Sequence, residues 1–402
     1  MIRLVKFELR KIFLRWPIFA ALILFTLIDI VKINSVYRGT SYLAENNVWH
    51  TVYWEQYEEY QGEMTLDKIE ALLSVYRPLE EMTADLTATT AHDVEGTFTG
   101  NIYSDKNLLN RYFVSPMEYL YTYRYSANEV AERAKANIEV YSERGNTYEM
   151  RKNALIVQLY SGRAITDFYY TEGFQLYLNY DFSTLLVLLL ILYGLSQAFT
   201  VDKERGMNQL LLTAVNGGIS TILAKIIAAS LFVAAVSLWF STVDFFSFHF
   251  VSEMFAAGSL PVYAVENLGE ASVNLSLLQY SIASAACRAL GFWVLGMVFL
   301  LAGEVGQHAL IPFAVNGCLF LLAAAAGVVW SYSSAGWLKV WNPYSLLVNR
   351  VLFGKTEFIN LFGTPVLTWQ VALGAAVIFG AAAVFLVLLF GGKNELHKGA
   401  AR

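Results

Sequence analysis

The chain has 402 residues, 56% of them apolar and only 15% charged, with a mean hydropathy of +0.45. Soluble domains usually carry about 25% charge, so most of this chain is suited to a lipid solvent. A formal net charge of −5 and a pI near 5.7 exclude the basic footprint that phosphate backbones require, and nucleic acid is not an expected partner. The two cysteines, Cys287 and Cys318, both lie in apolar runs and form neither a disulfide framework nor a zinc spacing.

The chain opens with MIRLVKFELRKIFLRW, in which Ile2, Val5, Leu9, Ile12 and Trp16 recur at helical spacing among Arg3, Lys6, Arg10, Lys11 and Arg15. This pattern predicts a basic amphipathic helix over 1–16, lying in the membrane interface. The apolar run behind it is long, and no small-x-small cleavage site precedes Lys32, so residues 17–34 are expected to be an uncleaved first span.

Residues 35–181 differ in composition. Residues 35–180 contain 21 acidic and 12 basic side chains, and 19 of the 24 tyrosines fall between 37 and 180. A water-facing, mainly helical domain is expected here. Thr65 is placed to cap TLDKIEALLSVY, SANEVAERAKANIEVYSERG reads as a charged helix ending at Gly145, and residues 154–180 are expected to run unbroken into the second span. The tyrosines read as the core and membrane-proximal belt of this domain, where a ring is buried and its hydroxyl kept polar.

A hydrocarbon layer of about 30 Å needs roughly 20 apolar residues of helix. Five more stretches qualify, near 182–200, 221–243, 276–302, 307–330 and 367–391. The one at 276–302 is diluted by Gln279, Tyr280 and Arg288. The fold class expected is therefore an all-α polytopic membrane protein with six spans, an N-terminal amphipathic helix and a helical domain between spans 1 and 2.

Lysine and arginine then set the orientation. The basic N-terminus reads as cytoplasmic, residues 35–181 as extracellular, 201–220 as cytoplasmic, 244–275 as an outer loop with four acids and no lysine or arginine, and the tail at 392–402 as cytoplasmic. The loop at 331–366 falls outside by parity although it carries Lys339, Arg350 and Lys355.

Signatures of enzyme chemistry are missing. The five histidines, His50, His92, His249, His308 and His397, are scattered, with no HExxH and no GxSxG. Gly354-Lys355-Thr356 resembles the end of a phosphate-binding loop, but the required first glycine is Asn349. If ATP drives this protein, another chain must bind it.

The most informative segment is FTVDKERGMNQLLLTAVNGGISTILAKII at 199–227. Asp202, Lys203, Glu204 and Arg205 form a compact charged end, and Gly206 permits a sharp turn. Residues 207–213 are helix-prone with exposed leucines, Asn216-Gly217-Gly218 breaks the run, and Ser220 is expected to cap span 3. A short apolar helix between two breaks, at the inner surface, suits a groove on a soluble partner.

In this order of features the chain resembles the permease subunits of type-2 ABC exporters. The family's pattern after its second span is matched by Glu204, Gly206, Leu210, Leu211, Leu212, Thr213, Gly217, Gly218 and Lys225. The opening KFELRKIFLRWPIFAALILF at 6–25 and WNPYSLLVNRVLF at 341–353 are similar to the family's start and to its segment before the last span. The likeness covers roughly half to two thirds of the chain. Ile219 stands where the family often has arginine, and the insertion at 35–181 occurs in only some members.

The resemblance implies a non-enzymatic subunit in a bacterial cell membrane. It would pair with a second permease, the same or a related chain, and dock a cytoplasmic ABC ATPase that carries the ATP and Mg. No cofactor is expected on this chain. Residues 207–214 would be the coupling helix, with Asp202, Glu204, Arg205, Gly206, Leu210, Leu211, Leu212 and Lys225 as its docking set.

Asp29, Arg288, Glu304 and His308 are the polar candidates inside or beside the spans, and Arg288 could pair with Asp29. A receptor scaffold with a ligand-binding outer domain is the alternative function. An intramembrane enzyme would need paired catalytic groups at matching depth, which the sequence does not display.

Overall fold

The computed structural model describes residues 1–13, 15–84, 94–207, 218–331 and 336–399. Among these residues, six helices are long and apolar enough to cross a membrane: Trp16–Thr40, Glu172–Glu204, Ile219–Ser252, Leu277–Val305, Leu310–Trp330 and Thr368–Gly391, numbered here as spans 1 to 6. Each expected stretch lies within one of them or overlaps most of it. In lipid every backbone group must be paired within the chain, and runs of leucine, isoleucine, alanine and phenylalanine satisfy this as helix.

Spans 2, 3 and 4 form the interior, with 72%, 56% and 56% of their most apolar windows buried, against 17%, 6% and 22% for spans 1, 5 and 6. Span 4 is a complete helix. Gln279, which diluted its hydropathy, forms a capping box with Ser276 at its start. Span 3 runs for 34 residues, roughly 50 Å at the rise of an α-helix, and so reaches well past the hydrocarbon layer.

The N-terminal helix spans Ile2–Phe13 and Pro17 starts span 1, so Trp16 belongs to the span and not to the amphipathic helix. Its buried side is Glu8 and Ile12, set against the bundle, while Ile2 and Phe7 are exposed. The stripe expected from spacing is thus split between protein and surroundings.

The domain between spans 1 and 2 is helical with one two-residue β pairing, Gly62–Glu63 against Asp167–Phe168. Asn46, Asn101 and Asn146 each cap a helix through the side-chain carbonyl, and Thr65 Oγ1 accepts the Lys68 amide at 3.3 Å. Helices Ser115–Glu143 and Thr147–Tyr160 form a hairpin turned at Gly145, whose φ is +68°. Its core is aromatic: Tyr53 packs against Phe113, Tyr57, Tyr112 and Tyr170 with ring centroids 5.2–5.6 Å apart. The cluster continues without a break into the ends of the spans through Ile33, Phe248 and Tyr280.

Residues 154–180 do not form one helix. The helix ends at Tyr160, Gly162 takes φ +77°, and Asp167 and Phe168 turn back to pair with the other strand before the chain re-enters helix at Glu172. Aromatic density alone could not reveal this break.

Loops 253–276 and 336–367 fasten to the same domain. Arg163, itself buried, donates to Ala271 O at 2.7 Å and to Asn274 Oδ1 at 2.9 Å, and Tyr119 and Tyr123 donate to the carbonyls of Tyr263 and Gly269. Thr356 donates to Glu270 O and lies 3.1 Å from the Tyr160 hydroxyl, which gives the Gly354-Lys355-Thr356 triplet a packing role. Lys339 pairs with Glu357 at 2.7 Å and Arg350 with Asp181 at 2.5 Å. Two of the three basic residues that conflicted with the expected parity, Lys339 and Arg350, are thus neutralised in place. A hairpin of Phe358–Leu361 and Thr364–Leu367 completes this end.

Candidate functional site: charged clusters at the two ends of span 2

At the end of the bundle away from the domain, Asp202 is a junction. Its Oδ2 accepts from Lys225 of span 3 at 2.6 Å, and its Oδ1 accepts from Lys11 of the N-terminal helix. Lys225 also donates to Ala198 O at 2.9 Å and sits 4.3 Å above the Phe199 ring. Two residues of one helical turn therefore flank the charge that Asp202 balances. Glu8 is buried beside this pair, 3.7 Å from Lys11. Burial pushes its carboxyl above the ordinary glutamate range, an effect that Lys225 and Lys11 partly offset.

The next two residues reach the opposite way. Lys203 donates to the Glu304 and Gly306 carbonyls and pairs with the Glu304 carboxylate at 3.6 Å. Glu204 accepts the Ala309 amide at 2.9 Å, at the start of span 5, and lies 3.9 Å from His308 Nδ1. Glu304 is buried and His308 exposed, so these two candidates meet at this joint from different environments.

Arg205 is exposed, and Gly206 takes φ +66°, the left-handed turn that the sequence required. Leu210, Leu211, Leu212, Thr213 and Gly217, with the expected coupling helix, lie outside the described residues. On the far side Gly218 caps span 3 at φ +69°. Ser220 is inside the helix and makes no cap, which corrects the expectation.

Toward the domain end of the same helix lies a second cluster. Asp29 of span 1 accepts from the Tyr180 hydroxyl at 2.6 Å. Asp244 of span 3 accepts from the Ser183 hydroxyl at 2.6 Å. Arg288 of span 4 donates to the Tyr180 carbonyl at 3.2 Å and approaches Asp244 at 3.7 Å. The expected partner of Arg288 was Asp29, but its ion pair is with Asp244.

Asp244 had been assigned to the loop at 244–275, because the apolar window closed at residue 243. The helix continues to Ser252, and Asp244 is only 1% exposed. Asp29 is fully buried. Paired carboxyl groups on adjacent spans, which the sequence did not display, are therefore present.

The domain carries a polar cleft of about 290 Å³ lined by Tyr53, Arg111, Tyr112, Tyr170, Glu172 and Glu266. The Arg111 guanidinium stacks on Tyr42 at 4.2 Å, and burial pushes the Tyr112 phenol up to about 12. Among the described residues, no group of three or more histidine, cysteine or acidic side chains is arranged to hold a metal.

No protein-family model matches the chain, and none of the curated proteins compared with it matches significantly.

Proposed function

We propose that this chain is the membrane-spanning permease subunit of an ATP-driven bacterial exporter, working as a dimer with a second permease and docking a separate cytoplasmic ATPase through residues 207–214. The observation that carries the reading is the convergence on residues 202–204. The N-terminal helix, span 3 and the turn between spans 4 and 5 are all tied to three consecutive side chains at the base of that segment. A push on the segment would reach four spans through charged contacts.

Such coupling needs no chemistry on this chain. ATP binding by the partner drives the permeases only if it favours one of their two arrangements. In this reading the N-terminal helix is an elbow in the inner interface, the termini are cytoplasmic and the inter-span domain is extracellular. The cleft at Arg111 and Glu172 favours a second reading, in which the domain is a receptor for a small polar ligand and the spans transmit its binding.

Affinity purification of the tagged chain from native membranes tests the proposal. The wild type should bring down an ATP-hydrolysing chain, and Leu211→Asp should lose it at unchanged membrane levels. Equal recovery with both proteins would remove the docking assignment. Ligand binding with no ATPase partner would favour the receptor.

A further inference from the structure

Asp29 and Asp244 come from spans 1 and 3, are 0% and 1% exposed, and are brought together by Tyr180, whose hydroxyl donates to Asp29 and whose carbonyl accepts from Arg288, the partner of Asp244. Each has one oxygen satisfied by a neutral donor, Tyr180 for Asp29 and Ser183 for Asp244. Each keeps one buried oxygen, Asp29 Oδ2 and Asp244 Oδ1, with no hydrogen-bond partner among the described residues. Two buried acceptors without a donor are a double cost in a dry site, since an unpaired buried polar atom forfeits its hydration.

The charge count leads to the same place. Arg288 brings one positive charge, and the two carboxylates, if both ionised, bring two negative ones. The other polar groups packed around them, Tyr177, Tyr180, Ser183 and Tyr280, add no compensating charge. The nearby Asp181–Arg350 pair is neutral as a unit. An uncompensated charge in the membrane interior is strongly unfavourable.

We propose that Asp29 and Asp244 form a proton-binding site, holding one proton between their two unpartnered oxygens so that the cluster with Arg288 is neutral. One carboxyl O–H then donates to the other carboxylate, which satisfies both orphaned atoms and leaves one negative charge for the guanidinium. Release breaks that O–H bond, sends the proton to water and leaves two carboxylates that repel each other.

The site thereby acts as a latch on span 1. Among the residues this helix buries, Ile18, Asp29, Ile33 and Tyr37, Asp29 is the one carboxylic acid. Deprotonation would push span 1 from span 3, and separation of the spans would release the proton. This inference does not depend on the permease reading.

Infrared spectroscopy of the full-length protein in lipid nanodiscs, with aspartate labelled at the side-chain carboxyl carbon, tests the site. At neutral pH the wild type should show a protonated-carboxyl C=O band that shifts with the label and is lost at alkaline pH. Asp29→Asn and Asp244→Asn should each abolish the band, because the carboxylate that remains ionises against Arg288. Persistence of the band in either variant would overturn the sharing. Loss of the band on adding sodium at constant pH would make the occupant a metal cation and overturn the proton. Where a variant misfolds the wild type decides: a band equivalent to one aspartic acid per chain supports the site, and its absence overturns it.

Discussion

Lys225 is almost wholly enclosed, and among the described residues the only carboxylate that bonds it is Asp202. Replacing one partner of such a pair strands the other, at a cost of about 3–5 kcal/mol, whereas removing both often costs far less. Asp202→Asn should therefore lower the thermal unfolding temperature of the detergent-solubilised protein markedly, and adding Lys225→Met should restore most of the loss. Lys11 can swing to water in that double variant, since its side chain is already partly exposed. An Asp202→Asn protein as stable as wild type would show that the junction contributes nothing. Both residues were legible as members of a motif, but their pairing was not, because 23 residues separate them and a turn intervenes. Lys11 and Lys203 were visible only as members of charged runs, and Glu8 was not singled out, for a related reason: in a basic or mixed-charge run, sequence gives no sign of which charge turns inward. Asp244 was hidden because the expected apolar run of span 3 was closed at residue 243, although the helix continues to Ser252.

At the level of elements, the six helices could be read from composition because lipid leaves no other regular option for long apolar runs. The tightness of their packing could not. Spans 2, 3 and 4 meet at Gly296, where an added Cβ would lie 2.9 Å from Val233 Cγ2 and 3.2 Å from Leu195 Cδ1. Small residues let helix backbones approach closely in membranes, where packing replaces the hydrophobic drive. Gly296→Leu should destabilise the bundle by about 1–3 kcal/mol through overpacking, with a smaller loss for Gly296→Ala. Gly374 of span 6 has no neighbour within 4 Å of its would-be Cβ. Gly374→Ala should be neutral or stabilising by about 0.5–1 kcal/mol, the usual helix gain. Thermal melting of the three variants in one detergent checks the contrast, and an equal response at the two sites would refute it. The strand at Asp167–Phe168 was invisible in the sequence because two residues carry no alternation to detect, and its partner lies more than 100 residues away.

Over the whole molecule, the arrangement of charge follows from which loops pack on the inter-span domain. Loops 253–276 and 336–367 join it through Arg163, Tyr160 and Thr356, which puts three connections at one end. The N-terminal helix and Gly391, which lies against Ile222, are at the other end with Gly206 and Gly218. The positive-inside rule concerns charge that must be held back from crossing. Lys339 and Arg350 arrive at the domain end already paired with Glu357 and Asp181, so they offer less resistance than their count suggests. Single cysteines report this directly once Cys318, the exposed native thiol, is changed to serine. Phe362→Cys at the exposed hairpin tip and Asn146→Cys at the domain turn should react with a membrane-impermeant maleimide from the same face of sealed vesicles. Ile2→Cys, which is also exposed, should react only from the opposite face. Labelling of the hairpin and the N-terminus from one face would mean an even number of crossings between them instead of five, and the six-span arrangement would have to be abandoned.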